Sequence, residues 1–186
     1  MKKHIVTLTG LPGSGKSSTA NAVAQTLGYK RFSSGDFARQ VAAKHGISIE
    51  EWNKQAETMP ELDHEVDEAV RHAGESTDLV IDSRIAFHWI PDAFRVFLTL
   101  DPRTAADRTF AQIQKEGRAS QQASTAEETY QNTLARIESE RVRYKKLYDL
   151  DYTDETQYDL VVDTGVNSIE EVAEKVVAAY RKWLAA

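Results

Sequence analysis

Cysteine is absent from the 186 residues of this sequence. Its absence excludes a disulfide framework, a thiolate zinc site and a catalytic thiol, and it fits a reducing compartment. Long apolar runs are missing too. The first run begins near His4 and stops at Gly10, which is too short for a signal peptide or a membrane span. We therefore expect a cytoplasmic protein with no membrane partner.

A positive net charge is also lacking, because the formal net charge is −6. Binding to a nucleic-acid backbone requires many phosphate contacts from Lys and Arg, so we expect no nucleic-acid polymer as a partner. The basic side chains are nevertheless concentrated in residues 103–118 and 136–146. Such islands fit either a local anionic ligand or a solvated helix face with alternating charges.

Strand-like apolar runs and helical patterns alternate along the chain. Helices are predicted between the runs, including one after each of the two central runs, which gives a repeated βα order. The order predicts one α/β domain over residues 1–186, built as a three-layer, doubly wound sheet of five parallel strands. The five runs have the length and composition of buried strands and lie at residues 4–9, 29–32, 78–82, 94–100 and 158–163.

Three segments outside the strands carry distinct helix or loop signals. A helix is predicted at residues 36–44, and a capping box at 48–51 opens another that runs towards Pro60,. Residues 61–73 predict a strongly acidic helix, and its acidic run at 61–68 is most simply a solvated helix face,. Residues 117–126 are small and polar and interrupt two helical patterns, so they predict a loop.

Glycines separate the first strand from the helix that follows it. The sequence Gly-Leu-Pro-Gly-Ser-Gly-Lys-Ser over residues 10–17 fits G-x-x-x-x-G-K-[ST] between a strand and a helix, the context that the P-loop requires,. Backbone N–H groups of such a loop converge on phosphates, and the helix N-terminus adds a partial positive charge. Lys16 would hold the β- and γ-phosphates of ATP, and Ser17 would hold Mg²⁺. The expected ATP-binding residues are Gly10, Leu11, Pro12, Gly13, Ser14, Gly15, Lys16, Ser17 and Ser18.

The rest of the sequence narrows the class of nucleotide protein. A guanine-reading Asn-Lys-x-Asp is missing, because the one Asn-Lys pair continues as Gln55-Ala56. A chain of 186 residues also leaves little room beyond the nucleotide core for a mechanical ATPase. A small-molecule kinase fits these observations, and we expect it to act on small nucleotides as a monomer.

Three stretches beyond the P-loop carry a family resemblance. Residues 33–39 are similar to S-x-G-[DE]-x-x-R, residues 136–144 to R-x-x-x-[DE]-x-x-R, and residues 46–51 also match. With them the chain resembles the archaeal-type cytidylate kinases, a branch of the nucleoside monophosphate kinases, over nearly its whole length. The resemblance implies a P-loop kinase that transfers the γ-phosphoryl group of ATP to CMP or dCMP with Mg²⁺.

The resemblance also implies where the acceptor binds. A helical acceptor-closing segment would span about residues 35–75 and a short lid about 115–130. The acceptor would contact Ser34, Gly35, Asp36 and Arg39. At the end of the third strand, where open α/β sheets place ligands, Arg84 would reach the monophosphate and Asp82 a Mg²⁺-bound water. Ser83 stands where the family usually has glycine.

Helical spacing supports one of these assignments independently. Arg136, Glu140 and Arg143 stand at i, i+4 and i+7 and therefore share one helix face,. The two guanidinium groups can clamp phosphate oxygens, and the carboxylate between them can orient one of them or accept from a base amino group. An ion-pair ladder that only stabilises the helix is the simpler alternative.

Catalysis would rest on charge stabilisation by Lys16, Arg84, Arg136 and Arg143. Arg108 precedes the predicted lid, and we expect it to contact ATP phosphates when the lid closes. Two alternatives stay open. One is a P-loop kinase for another small acceptor, such as AMP, UMP, a shikimate-like compound or a coenzyme precursor; the other is a nucleotide-binding regulator without catalysis.

Overall fold

The structure is a computed structural model and describes residues 2–116 and 125–186. Its strands are β1 (Ile5–Gly10), β2 (Lys30–Ser33), β3 (Leu79–Asp82), β4 (Phe94–Thr99) and β5 (Leu160–Asp163). Within the described ranges they form one parallel sheet in the order β2-β3-β1-β4-β5. The predicted α/β fold with a five-stranded parallel sheet is therefore confirmed.

Helices cover both faces of this sheet. Successive residues of β1 point to opposite faces, so Val6 packs with Val176 in one apolar cluster and Ile5 with Val70 in another. Helices α1 and α8 belong to the first cluster, and α4 and α5 to the second. The helices are α1 (Lys16–Leu27), α2 (Ser34–Lys44), α3 (Ile49–Ala56), α4 (Pro60–Ala73), α5 (Ala86–Trp89), α6 (Pro102–Glu116), α7 (Ala126–Tyr148) and α8 (Ile169–Ala185).

Helices α2, α3 and α4 make the helical segment that was expected between β2 and β3. Helices α2 and α3 form a small apolar cluster, against which Leu62 and Val66 of α4 pack. The N-cap of α3 forms as predicted, because Ser48 Oγ accepts from the backbone N–H of Glu51 at 3.1 Å. Only half of the predicted capping box is present, since the carboxylate of that box accepts from a side chain one turn later instead.

The helix predicted after β3 is present but short, and the start of the last strand differs from the prediction. The helix after β3 is the four-residue α5, because Pro91 follows it closely and the residue before a proline is pushed out of the helical region. The last strand begins at Leu160 rather than at Tyr158. Tyr158 instead places its ring 5.0 Å from that of Phe97 and donates its hydroxyl to the Tyr152 carbonyl at 2.6 Å.

The lid expected at about 115–130 falls partly outside the described residues. Helix α6 is described to Glu116 and α7 begins at Ala126, with Thr125 as its N-cap. Among the described helices, none is both long and apolar enough to cross a membrane.

Candidate active site

The loop between β1 and α1 has the backbone of a phosphate cradle. Gly13 and Gly15 adopt φ values of 77° and 75°, which side chains with a Cβ rarely adopt. A Cβ at Gly13 would also lie 2.7 Å from the Ala105 carbonyl oxygen, so the loop cannot carry a larger residue there. The hydroxyl of Ser14 is buried and has no hydrogen-bond partner in the described structure. A phosphate oxygen would fit this cradle.

Lys16 is the first residue of α1, and its ammonium lies against the loop. Its Nζ donates to the carbonyls of Gly10 and Leu11 at 3.0 and 3.2 Å. Burial, reinforced by the nearby positive charge of Arg84, lowers the pKa of Lys16 to about 7. Lys16 as a whole residue is half-buried, but its ammonium group is enclosed by the protein. The enclosure of the ammonium group lowers its pKa. An anion bound at the loop would relieve the cost of charging this lysine.

Ser17 and Asp82 meet between α1 and the end of β3. Ser17 Oγ donates to Asp82 Oδ2 at 2.7 Å, and Arg31 Nη2 donates to the same oxygen at 3.0 Å. A hydroxyl and a carboxylate are ligands that Mg²⁺ accepts when phosphates and waters complete its shell. Among the described residues, no group of three or more His, Cys, Asp or Glu side chains suits a metal ion. The pair therefore fits Mg²⁺ bound together with nucleotide phosphates.

Glu140 is the centre of a buried charge network on α7. It is 5% exposed and accepts from Arg84 Nε at 2.7 Å, Arg136 Nε at 3.0 Å and the Tyr152 hydroxyl at 3.1 Å. Burial favours the neutral acid, but the charges of Arg84 and Arg136 outweigh it and hold the pKa of Glu140 far below its usual value. The carboxylate is thus ionised and fixes both guanidinium groups at the cleft.

Arg143 lies one helical turn beyond Glu140 and has a different partner. Its Nε is 2.7 Å from Asp63 Oδ2 of α4, and both side chains are almost completely buried. Burial raises the pKa of Asp63 to about 6, although the positive charge of Arg143 counteracts the shift. Arg136 and Arg143 share a helix face as predicted, but they do not share a carboxylate.

The start of α2 brings the predicted acceptor residues to the same cleft. Ser34 Oγ donates to the Asp82 carbonyl at 3.4 Å, and Ser34, Gly35 and Arg39 line the cleft. Asp36 does not line it but forms ion pairs with Arg31 and Arg39. Its role in the structure is therefore to hold two arginines at the cleft edge.

One cleft of about 330 Å³ joins these parts. Arg108 is placed outside it, where Nη2 donates to the Thr164 carbonyl at 3.0 Å. The predicted ATP-binding residues that do not line the cleft are Gly10, Leu11, Ser14, Gly15 and Ser18. The predicted site residues that line the cleft are Pro12, Gly13, Lys16, Ser17, Ser34, Gly35, Arg39, Asp82, Arg84, Arg136, Glu140 and Arg143.

Comparison with known proteins gives the family. Residues 6–131 match the family model described as AAA domain. A cytidylate kinase of Haloquadratum walsbyi is 35% identical over 182 residues, which covers 95% of this chain and 90% of that protein. A cytidylate kinase of Methanothrix thermoacetophila is 34% identical over 161 residues, covering 87% and 88%. The chain belongs to the archaeal-type cytidylate kinase family. This family is one of nucleoside monophosphate kinases, which are phosphotransferases.

A second kind of relative is much longer than this cytidylate kinase family member. An S-adenosylmethionine-dependent nucleotide dehydratase of Lacinutrix mariniflava is 34% identical over 182 residues, which covers 97% of this chain. The chain spans only 36% of the length of that dehydratase.

Solved structures agree on the fold. A shikimate kinase from Bacteroides thetaiotaomicron has a TM-score of 0.66 at 16% identity, with 98% of each chain covered. A gluconokinase from Sinorhizobium meliloti has a TM-score of 0.59 at 16% identity, covering 98% of this chain and 95% of that one. This family member therefore has the P-loop kinase fold.

Sequence reasoning missed several residues of the cleft region in this cytidylate kinase family member, and three of them are charged. Arg31 binds Asp82, and Asp63 and Asp67 line the cleft although the acidic helix was expected to be a solvated face. A signal for the two aspartates was present, because they follow directly after Leu62 and Val66, the apolar residues of the inward stripe,. Arg31 gave no signal, since its contact depends on how β2 pairs with β3.

Proposed function

We propose that the protein transfers the γ-phosphoryl group of ATP to CMP or dCMP, giving CDP or dCDP and ADP. One observation carries the proposal: the cleft that contains the P-loop lysine also contains two arginines fixed by one buried carboxylate, Glu140. A donor phosphate at the loop and an acceptor phosphate at the arginine pair would meet inside this cleft. The cytidylate kinase relatives support the choice of acceptor.

ATP binding falls to the loop and the first turn of α1. The backbone N–H groups around Gly13 and Gly15 and the Lys16 ammonium hold the phosphates in this proposal. Ser17 and Asp82 hold Mg²⁺, which when bound neutralises charge on the transferred group. Arg31 must then share Asp82 or release it, because the two groups are hydrogen-bonded at 3.0 Å.

Acceptor binding falls to the other wall of the cleft. Arg84 and Arg136 orient the monophosphate and stabilise the charge that develops on the transferred phosphoryl group. The acceptor phosphate oxygen is an adequate nucleophile, so the reaction needs positioning rather than a general base. Ser34, Gly35 and Arg39 complete the phosphate contacts, with Asp36 holding Arg39 in place. Arg143 lies farther along α7 than Arg136. It would therefore contact a part of the acceptor that is farther from the reacting phosphate.

Closure would exclude water, which otherwise competes as acceptor. The segment at about 35–75 and the lid at about 115–130 are the elements proposed to close. Arg108 would then leave the Thr164 carbonyl and reach the ATP phosphates. The proposal also takes the protein as a monomer that works in the cytoplasm on small nucleotides.

The test is ADP release from ATP and Mg²⁺ in a coupled assay with CMP, dCMP, UMP, AMP, GMP and shikimate offered separately. We expect CMP or dCMP to give the highest kcat/KM, and Lys16→Met to abolish turnover, which excludes a contaminating kinase. A preference for another acceptor would contradict the cytidylate assignment and keep the kinase. ATP binding without turnover of any acceptor would favour the nucleotide-binding regulator.

A further inference from the structure

Two carboxylates of α4 are buried at the cleft, where a charged group costs free energy unless it has a binding partner. Asp63 is 4% exposed and Asp67 6% exposed, and both line the cleft. Asp67 has a partner, because it accepts a hydrogen bond from the Tyr148 hydroxyl. Asp63 forms an ion pair with Arg143. Buried charged groups are normally paired and fully hydrogen-bonded, so this pair calls for an explanation.

The Asp63–Arg143 pair is close but not hydrogen-bonded at its nearest atoms. Arg143 Nε and Asp63 Oδ2 are 2.7 Å apart, yet both atoms are buried and neither has a hydrogen-bond partner among the described residues. The contrast with Glu140 is informative, since that carboxylate accepts from three groups. The ion pair therefore leaves one acceptor and one donor at the cleft without an aligned hydrogen bond.

A third unused polar atom lines the same cleft. The indole N–H of Trp52 is buried without a partner in the described structure. Trp52 is adjacent to Asn53, whose carbonyl accepts from Arg143 Nη1 at 3.5 Å, which places the indole near the pair. One acceptor and two donors thus face a space bounded by α3, α4 and α7.

This space lies at the end of the cleft away from the P-loop. The charges with the largest effect on Lys16 include those of Arg84 and Arg136 but not that of Arg143. Arg143 follows Arg136 by seven residues, which is a rise of about 10 Å along a helix. That separation is comparable with the distance from the 5′-phosphate of a nucleotide to the edge of its base.

The three atoms match the edge of cytosine. Cytosine presents an N4 amino donor, followed by the acceptors N3 and O2. We propose that Asp63 accepts from N4, Arg143 donates to N3 and Trp52 donates to O2, so that these residues select cytosine as the base of the acceptor. Uracil presents the opposite hydrogen-bonding groups at the first two positions, because its O4 accepts where cytosine N4 donates and its N3–H donates where cytosine N3 accepts. Adenine presents the first two correctly but has C2–H where O2 would be. The inference rests on the proposed function and deepens it.

Ionisation of Asp63 provides a test that needs no variant. The charged groups that face Asp63 are Arg143 and Glu140 on α7 and Asp67 and His64 on its own helix. Since burial raises the pKa of Asp63 to about 6, the carboxylate is an acceptor at pH 7.5. At pH 5.5 most of it is protonated and can donate to uracil O4.

The measured quantity is the ratio of kcat/KM for CMP to that for UMP. In the wild type we expect this ratio to fall several-fold between pH 7.5 and 5.5. The second ionisation of the 5′-phosphate, near pH 6, is shared by both substrates and cancels. In Asp63→Asn we expect a fall of roughly 10- to 100-fold at pH 7.5 and a ratio independent of pH. Glu65→Gln removes a charge from the exposed side of the same helix and should leave the ratio unchanged.

Trp52→Phe tests the third contact, with the ratio of kcat/KM for CMP to that for AMP as readout. This ratio should fall in the variant. ATP binding, measured in parallel, should stay at the wild-type level and so show that the variant is correctly folded. The inference would be overturned if Asp63→Asn and Trp52→Phe had the wild-type ratios, or if the wild-type ratio did not depend on pH. Either result would leave the cytidylate kinase activity standing. Wild-type protein that turns over no pyrimidine monophosphate would instead overturn the proposed function itself.

Discussion

At the scale of single residues, Lys16 is the group whose state should change most on ATP binding. Its pKa in the free protein is lowered to about 7 by burial and by Arg84, so the ammonium is mostly deprotonated at pH 8. Phosphate charges favour the protonated form and must raise this pKa. Binding of ATP at pH 8 should therefore take up roughly one proton per site, and binding at pH 6 should take up almost none.

Isothermal titration calorimetry with Mg²⁺-saturated ATP checks this expectation. The apparent binding enthalpy at pH 8 should vary linearly with the ionisation enthalpy of the buffer, with the sign of proton uptake. Lys16→Arg is the matched control, because arginine stays charged at all these pH values. A wild-type enthalpy independent of buffer, or the same slope in Lys16→Arg, would show that Lys16 does not titrate on binding.

At the scale of elements, α8 serves the fold and not the cleft. Its start is closed by a complete capping box, in which Ser168 Oγ accepts from Glu171 N at 3.2 Å and Glu171 accepts from Ser168 N at 2.7 Å. Val176 and Tyr180 of α8 are fully buried against the sheet, and the described residues that line the cleft include none from α8. Stability and activity should therefore separate here.

We expect Ser168→Ala to lower the free energy of unfolding by about 1 kcal/mol, the usual cost of losing an N-cap. kcat/KM for the acceptor should stay at the wild-type value. Urea denaturation followed by circular dichroism measures the first quantity and the coupled assay the second. Ser168→Asp keeps an N-cap acceptor and should retain most of the stability. Loss of activity at temperatures where Ser168→Ala remains folded would link α8 to the site.

At the scale of the whole molecule, the cleft ties together parts that are far apart in the chain. Its walls come from α1, α2, α3, α4, β3, α6 and α7, so a bound acceptor should stabilise the domain as one unit. A ligand at about 100 times its Kd adds about 2.7 kcal/mol. In a domain of this size each kcal/mol raises Tm by about 2–4 °C.

CMP should therefore raise Tm by about 5–10 °C at that concentration, measured by differential scanning calorimetry. GMP at the same concentration is the matched control, since it has the same ribose phosphate and a larger base. It should give a much smaller shift in Tm. Equal shifts from CMP and GMP would mean that the phosphate alone is recognised and would contradict base selection by the cleft.

The sequence by itself determined the features that depend on neighbours along the chain. Gly13, Gly15, Lys16 and Ser17 could be assigned because a P-loop is one turn between one strand and one helix. The βα order followed from apolar periodicity, and handedness and connection rules leave few arrangements for such an order. The shared face of Arg136, Glu140 and Arg143 followed from helical geometry alone.

Tertiary structure decided every contact that joins separate elements. Glu140 was expected to orient one arginine of its own helix or to accept from a base amino group, and the tertiary structure brings Arg84, which follows β3, to the same carboxylate. Asp63 belongs to a run of acidic residues whose composition favours solvent, and only the packing of α4 on α2 and α7 buries it beside Arg143. Sequence spacing fixes distances within a helix or strand, whereas distances between them depend on how the whole core packs. For that reason the turn of the P-loop was predictable from the sequence, and the pairing of Asp63 with Arg143 was not.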